Sequence, residues 1–250
     1  MTEEHADSRT ILKLSGDDAR AFLQGLVTND VDRLSEGIVY AALLTPQGKL
    51  ISDFFLVEQA DAILIDAPAE RAPTLFQRLS LYKLRSNVAV EQTDLTVQRG
   101  LGTPPEGAYA DPRHPALGWR AYGQSEMALP SVDWDALRVA HLIPEWGTEL
   151  DEDTFILEAG FERLNGVDFR KGCYVGQEVT ARMKHKTELR KGFARVAVTG
   201  DGAAGTPIET ADQKPAGRLH TRAGNEAIAY LRFDRAEGPM TAGEASVSRL

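Results

Sequence analysis

Lys171-Gly172-Cys173-Tyr174-Val175-Gly176-Gln177-Glu178 holds the only cysteine of a 250-residue chain, between two glycines and two residues after a lysine. Glycines four apart let a backbone approach a ligand or a neighbouring strand, and a cation near a sulfur favours its thiolate form. The same letters also fit a plainer alternative, a small buried thiol that only packs. The stretch extends both ways, through Gly166-Val167-Asp168-Phe169-Arg170 upstream and Val179-Thr180-Ala181-Arg182 downstream.

One cysteine makes no intrachain disulfide, and it cannot by itself hold an iron–sulfur cluster, which ordinarily needs four protein ligands. Any cluster would have to be shared with a partner. The five histidines show no metal-ligand spacing with one another or with Cys173, so no resident metal is expected. Hydrophobic residues at 42% and charged residues at 26% are ordinary for a folded soluble chain. No apolar run approaches the ~18 residues of a membrane span. Thr2-Glu3-Glu4-His5-Ala6-Asp7 is acidic and lacks the basic and apolar regions of a signal peptide, which predicts a cytoplasmic protein with no membrane partner.

A net charge of −9 argues against direct nucleic-acid binding. Residues 170–191 run against that balance. Arg170, Lys171, Arg182, Lys184, Lys186, Arg190 and Lys191 oppose only Glu178 and Glu188, a local +5 that leaves −14 for the rest. A basic island in an acidic protein is a candidate anion site, or else a solvated charged face.

Residues 10–14 read as a strand, followed by a helix capped by Ser15 with Asp18 three residues later and Ala19, Phe22, Leu23 and Leu26 on its buried face. Residues 40–45 and 50–57 form a hairpin around Pro46-Gln47-Gly48, and 62–66 add a third strand. A helix over 73–84, a strand over 88–97 and a loop over 100–107 follow, the loop marking a possible subdomain boundary. Residues 133–143 read as a helix ended by Pro144-Glu145-Trp146-Gly147. From Gly192 short strands alternate with Gly and Pro turns, predicting a small barrel. Gly200-Asp201-Gly202-Ala203-Ala204-Gly205 matches a dinucleotide-binding motif, but Thr206-Pro207-Ile208-Glu209 does not open the helix that a pyrophosphate requires.

The stretch around Cys173 closely resembles the signature of the YgfZ family of folate-binding proteins. Other pieces follow in that family's order: Gly16-Asp17-Asp18-Ala19 with 22–30, Leu44-Thr45-Pro46-Gln47-Gly48-Lys49 with Asp53-Phe54, Asp111-Pro112-Arg113 with Leu117-Gly118-Trp119-Arg120, and 227–232. The resemblance implies an α+β fold like that of the glycine cleavage T-protein (GcvT), an aminomethyltransferase. Two α+β subdomains would surround a central folate channel over 1–190, with a C-terminal β-barrel over 191–250.

The same resemblance implies tetrahydrofolate, or a related folate, as cofactor, and a role in assembling or repairing iron–sulfur clusters. Partners would be iron–sulfur assembly proteins and client enzymes, including radical enzymes that modify tRNA. Two departures from the T-protein stand out. Residues 65–73 read Ile-Asp-Ala-Pro-Ala-Glu-Arg-Ala-Pro, with alanine or proline where that family carries its essential aspartate. An Arg-x-Glu of its folate site reads Arg138-Val139-Ala140 here. A classical aminomethyltransferase is therefore not expected.

Under this reading Cys173 and Lys171, with Gly172, Tyr174, Gly176, Gln177 and Glu178, form the functional thiol motif. Trp134 would stack on a pterin or serve as a core aromatic, Arg138 belongs to the same folate-site helix, and Glu158 would accept from a pterin amine or pair with an arginine. Asn29 and Asp30 face the channel or merely stop the first helix. Lys184, Lys186 and Arg190 would hold the folate tail. An alternative reading is a folate-dependent one-carbon or demethylating enzyme using Cys173 or Glu178. A third is a scaffold in which the octapeptide only packs the fold.

Overall fold

The computed structural model describes residues 9–124, 130–186 and 188–250, Lys186 by its backbone alone. The acidic stretch 2–7 lies outside the described residues. The chain divides into two compact units, Met1–Pro130 with Glu162–Val179, and Ser131–Phe161 with Thr180–Leu250. The six strands of the barrel run from Lys191 to Arg249, inside the 191–250 expected from sequence, while Ser131–Phe161 and residues 180–190 group with them.

In the first unit β1 (Arg9–Ser15), β2 (Val39–Leu44), β3 (Leu50–Gln59), β4 (Ala62–Pro68) and β5 (Ala89–Gln92) form an antiparallel sheet in the order β2-β3-β4-β1-β5. Every residue of β2 and β4 is buried, as are the first eight of β3, because both faces of this sheet are covered. On one face α1 (Ala19–Gln24) and α2 (Ala72–Tyr82) pack Ala19, Leu23, Leu75 and Leu79 against Leu14, Phe54, Leu56 and Ile65.

Ser15 ends β1 instead of capping the helix. Gly16 turns the chain at φ 109, where a side chain would collide with the Asn87 carbonyl at 2.2 Å, and Asp18 spends its carboxylate on the Asn87 N–H at 2.7 Å. The strand expected over 88–97 is also two strands, β5 and β6 (Thr96–Gly100), because the Thr93 hydroxyl bonds to the Ile11 carbonyl and takes the Leu95 N–H.

The other face lies beneath a three-stranded sheet of β6, β7 (Tyr109–Ala110) and β8 (Trp119–Gly123), in the order β6-β8-β7. The junction between these layers is polar. Asp66, fully buried, accepts from Arg9 Nε at 2.6 Å on one oxygen and from Arg120 at 2.6 Å and Tyr122 at 3.0 Å on the other. Arg113 forms a two-bond fork onto Asp111 at 3.1 and 2.9 Å. The guanidiniums of Arg120, Arg113 and Arg9 lie 4.0, 4.9 and 5.5 Å from the centre of the Phe55 ring. The Asp111-Pro112-Arg113 and Trp119-Arg120 motifs thus join the two sheets.

In the second unit α3 (Trp134–His141) starts on Asp133, whose side chain caps the Ala136 N–H, and ends where Leu142 turns left-handed at φ 53. A further helix, α4, spans Gln177–Lys186, its first three residues belonging to the first unit and the rest to the second. Six strands then close a barrel in the order β10-β11-β12-β9-β14-β13: β9 (Lys191–Thr199), β10 (Pro207–Thr210), β11 (Pro215–Ala223), β12 (Glu226–Arg232), β13 (Met240–Ala242) and β14 (Ala245–Arg249). Val196, Val198, Ile208, Leu219, Leu231 and Val247 fill its core. The 200–205 motif is a loop between β9 and β10, its Gly200 and Gly202 carbonyls held by Arg222 at 3.0 and 3.1 Å. No helix follows it.

Burial alone would raise the Asp66 pKa, but Arg120 and Arg9 override it and hold the carboxyl at about 2, below the ordinary 3.8. Its ionised form therefore contributes stability that is complete above about pH 4 and is lost as pH falls towards 2. Asp66→Asn should cost about 3–5 kcal/mol by stranding Arg120, and should flatten the stability profile between about pH 4 and 2. Urea denaturation at several pH values reads both effects.

Candidate functional site

The cysteine-bearing stretch is a loop fastened at three places to the first unit. At its start, the Thr28 hydroxyl donates to the Gly166 carbonyl at 2.7 Å while the Asp168 N–H returns to the Thr28 carbonyl at 3.1 Å. Beside it, the Asn29 amide donates to the carbonyls of Tyr40 at 2.8 Å and Asn165 at 2.7 Å, and its own oxygen accepts the Asp30 N–H. Asn29 is buried with its hydrogen-bonding capacity spent inside the fold, so it holds the loop and does not face a channel. Asp30 caps the 3-10 turn Val31–Glu36 and receives Gln24, which makes it first a local stop.

The second fastening is Lys171. Its ammonium donates to the carbonyls of Gln24 at 2.9 Å, Val27 at 2.5 Å and Asn29 at 2.9 Å. A helix leaves its last carbonyls without intrahelical donors, and α1 ends at Gln24; Lys171 supplies donors there and just beyond. All three ammonium hydrogens are used, and the Tyr174 ring centre lies 5.3 Å from the nitrogen. The expected partnership between Lys171 and the thiol is therefore corrected: the lysine's donors are turned onto backbone. Burial pulls its pKa down to about 8, against the opposing pull of Asp30, Asp168 and Asp32.

The third fastening is Gly176, at φ 83. A side chain there would meet the Thr45 carbonyl at 2.7 Å and Leu44 at 2.9 Å, so only glycine lets the loop seat against the β2–β3 turn. Between the second and third fastenings stand Gly172, around which a side chain would meet nothing within 4 Å, and Cys173, which is exposed. The thiol does not pack. Gln177 and Glu178 open α4, half-buried and exposed respectively.

The remaining candidates belong to the second unit. Arg138 is 2% exposed and has spent its five N–H groups: on Asp135 at 3.3 and 3.0 Å, the Ile143 carbonyl at 3.2 Å, Glu149 at 2.7 Å and the Thr221 hydroxyl at 2.9 Å. Burial disfavours its charge, but Glu149 and Glu145 more than compensate, so its pKa is raised. Arg138 is thus the core of a buried network that Thr221 closes by donating to Glu149, with no donor left for a ligand. Glu158 is half-buried and accepts the Tyr230 hydroxyl at 2.6 Å, with Phe193 edge-on to Tyr230. Burial, then this carboxylate, raises the Tyr230 pKa. Trp134 is half-buried as the first residue of α3, and Lys184 and Arg190 are exposed. The Lys186 side chain lies outside the described residues.

Two aspartates deserve separation from the candidates. Asp66, at the start of the 65–73 stretch, is the hub of the inter-sheet layer. Asp53 takes the Tyr40 hydroxyl at 3.0 Å, and burial raises its pKa despite Arg9, Tyr40 and Arg113. The roles of Thr28, Asn165, Glu149 and Thr221 gave no sequence signal, since each depends on a partner from 11 to 138 positions away.

An antiparallel α+β unit together with a six-stranded barrel is the fold of the glycine cleavage T-protein. The crystal structure of glycine cleavage system aminomethyltransferase T from Bartonella henselae superposes with a TM-score of 0.78, covering 98% of this chain and 83% of that one at 12% identity. Residues 190–249 match the family described as CAF17, C-terminal beta-barrel domain. The iron–sulfur cluster assembly factor IBA57, mitochondrial, of Homo sapiens is 30% identical over 278 residues, covering 94% of this chain and 78% of that protein. The IBA57 homolog of Neurospora crassa is 32% identical over 237 residues, 79% of this chain, which spans about half, 54%, of its length. The chain belongs to the IBA57 family of iron–sulfur cluster assembly factors. The cytoplasmic expectation is corrected by these relatives, which are named as mitochondrial and point to that compartment instead.

Lys171→Met should leave three carbonyls without their donor and lower stability by about 1–3 kcal/mol per stranded group. Lys171→Arg should not restore it, because a planar fork cannot converge on three oxygens as an ammonium does. Chemical denaturation of the two variants gives the comparison.

Proposed function

We propose that this chain is an accessory factor in iron–sulfur cluster assembly or repair whose working group is the Cys173 thiol, with a folate as bound cofactor. The observation that carries it is the contrast within one loop. Lys171 and Gly176, on either side of Cys173, are committed to the fold, while the thiol between them stands exposed. Rigid presentation of a reactive atom is how a scaffold makes a site rather than a surface accident.

One thiol supplies one ligand of the four a cluster ordinarily takes, so the cluster is cargo shared with a protein partner. Names given to the human and Neurospora relatives support that cargo. The resemblance of the signature supports client enzymes that include radical enzymes modifying tRNA. The relatives' names support a mitochondrial setting.

For the folate, four residues of the second unit fit. Glu158 retains an oxygen for a pterin amine beside the Phe193 and Tyr230 rings, Trp134 offers an aromatic face, and the exposed Lys184 and Arg190 suit the tail carboxylates. Arg138 and Asn29 do not fit, being spent. The folate would supply a one-carbon carrier. The transferase reading is disfavoured because residues 65–73 carry alanine or proline where the transferase aspartate is expected, and Asp66 in that stretch is locked between Arg9, Arg120 and Tyr122.

Cys173→Ser should melt within a degree or two of the parent, since an exposed side chain packs nothing, and should abolish support of iron–sulfur enzymes in cells relying on it. A large fall in melting temperature, or full enzyme activity, would refute the role. Titration with tetrahydrofolate, followed by Trp fluorescence, should saturate, and Glu158→Gln should weaken it about tenfold or more. Absence of saturation would remove the folate while leaving the thiol reading intact.

A further inference from the structure

Residues 71–90 contain Arg71, Arg78, Lys83 and Arg85 and no acidic residue, in a chain with 37 Asp and Glu and a net charge of −9. These residues make α2 and the turn after it. The inner face of α2 is committed, with Leu75 and Leu79 in the core and Tyr82 packed against it. Its outer face is not. Leu81 is 58% exposed and Leu84 85%, among the most exposed large apolar side chains of the described residues. Leu84 is also held at φ 33, a left-handed conformation that glycine or asparagine adopts at lower cost. Neither property is what a solvated turn selects for.

The cations beside these leucines are unspent. Gln77, Arg78 and Arg85 are exposed, Lys83 is half-buried, and among the described residues the side chains of Arg78, Lys83 and Arg85 make neither a hydrogen bond nor an ion pair. Elsewhere arginines find carboxylates readily: Arg20 reaches Glu58 at 2.6 Å and Arg195 reaches Glu226 at 2.7 Å. The surface therefore combines two apolar anchors with three uncompensated positive charges, carried by the C-terminal end of α2 and the turn after it.

We propose that the outer face at the C-terminal end of α2, Leu81 and Leu84 with Arg78, Lys83 and Arg85 around them, docks a protein partner presenting apolar side chains set among carboxylates. The leucines supply desolvated anchors, and the cations steer and orient an acidic surface. An acidic protein is favoured over an anionic membrane because interfacial anchoring takes a continuous apolar stripe along several turns, and two leucines at one end do not make one. The inference is independent of the Cys173 reading.

The probe is a fluorescein-labelled synthetic peptide helix with leucines at helical spacing flanked by glutamates. A twin with lysines for the glutamates, and vesicles of phosphatidylserine and phosphatidylcholine, serve as comparisons. The intact chain should bind the acidic peptide and not its basic twin, with affinity falling as salt is raised. Arg78→Glu with Arg85→Glu, and separately Leu81→Ser with Leu84→Ser, should each weaken binding about tenfold or more while leaving the melting temperature unchanged. Binding that survives both pairs overturns the proposal. So does failure of the peptide, with or without capture by the vesicles, or sedimentation showing that the face joins two copies of this chain.

Discussion

The loop around Cys173 depends on one ammonium group. Lys171 reaches into the end of α1 and gives a hydrogen to each of three carbonyls at or just beyond the end of that helix. A buried cation without an anion is ordinarily costly, and the depressed pKa of about 8 registers the cost. The arrangement persists because the end of a helix is the one neutral structure that presents converging carbonyls and a partial negative charge together. Thr28 and Asn29, just past the same helix end, complete the attachment, so a short helix becomes the base on which a distant loop is mounted.

A second polar constraint shapes the unit more broadly. Asp66 and Asp111 face three guanidiniums around Phe55, at a junction where two sheets would otherwise meet through apolar side chains. Buried charges are tolerated here because each carboxylate is paired at hydrogen-bonding distance and each arginine also lies over an aromatic face. The layer fixes how the small sheet sits on the large one. It also consumes the one aspartate of β4.

Much of the fold was legible in the residues. The 40–45 and 50–57 hairpin, the 133–143 helix and the strand-and-turn rhythm after Gly192 all read correctly because each is set by local periodicity. Ser15 and the 88–97 strand misled for the same reason: the decisive groups, the Asn87 carbonyl and the Ile11 carbonyl, come from far along the chain. The octapeptide was legible as a site but not in its inner roles. Lys171 lies two residues from the sulfur in sequence, and nothing in that spacing reveals that its donors point to residues 142 to 147 positions away.

That difference gives a general way to sort polar residues in a signature. Donor capacity is finite, so a side chain whose hydrogens are all spent inside the fold holds something, and one with capacity left can meet something. By this count Lys171, Asn29 and Arg138 are holders, although all three read as contact residues from sequence. Cys173 and Arg190 are exposed, and the half-buried Glu158 keeps an oxygen that no hydrogen bond among the described residues takes. A loop fastened by Lys171 on one side and Gly176 on the other leaves the thiol between them to a partner, because each added contact made by the thiol itself would subtract from what it can offer.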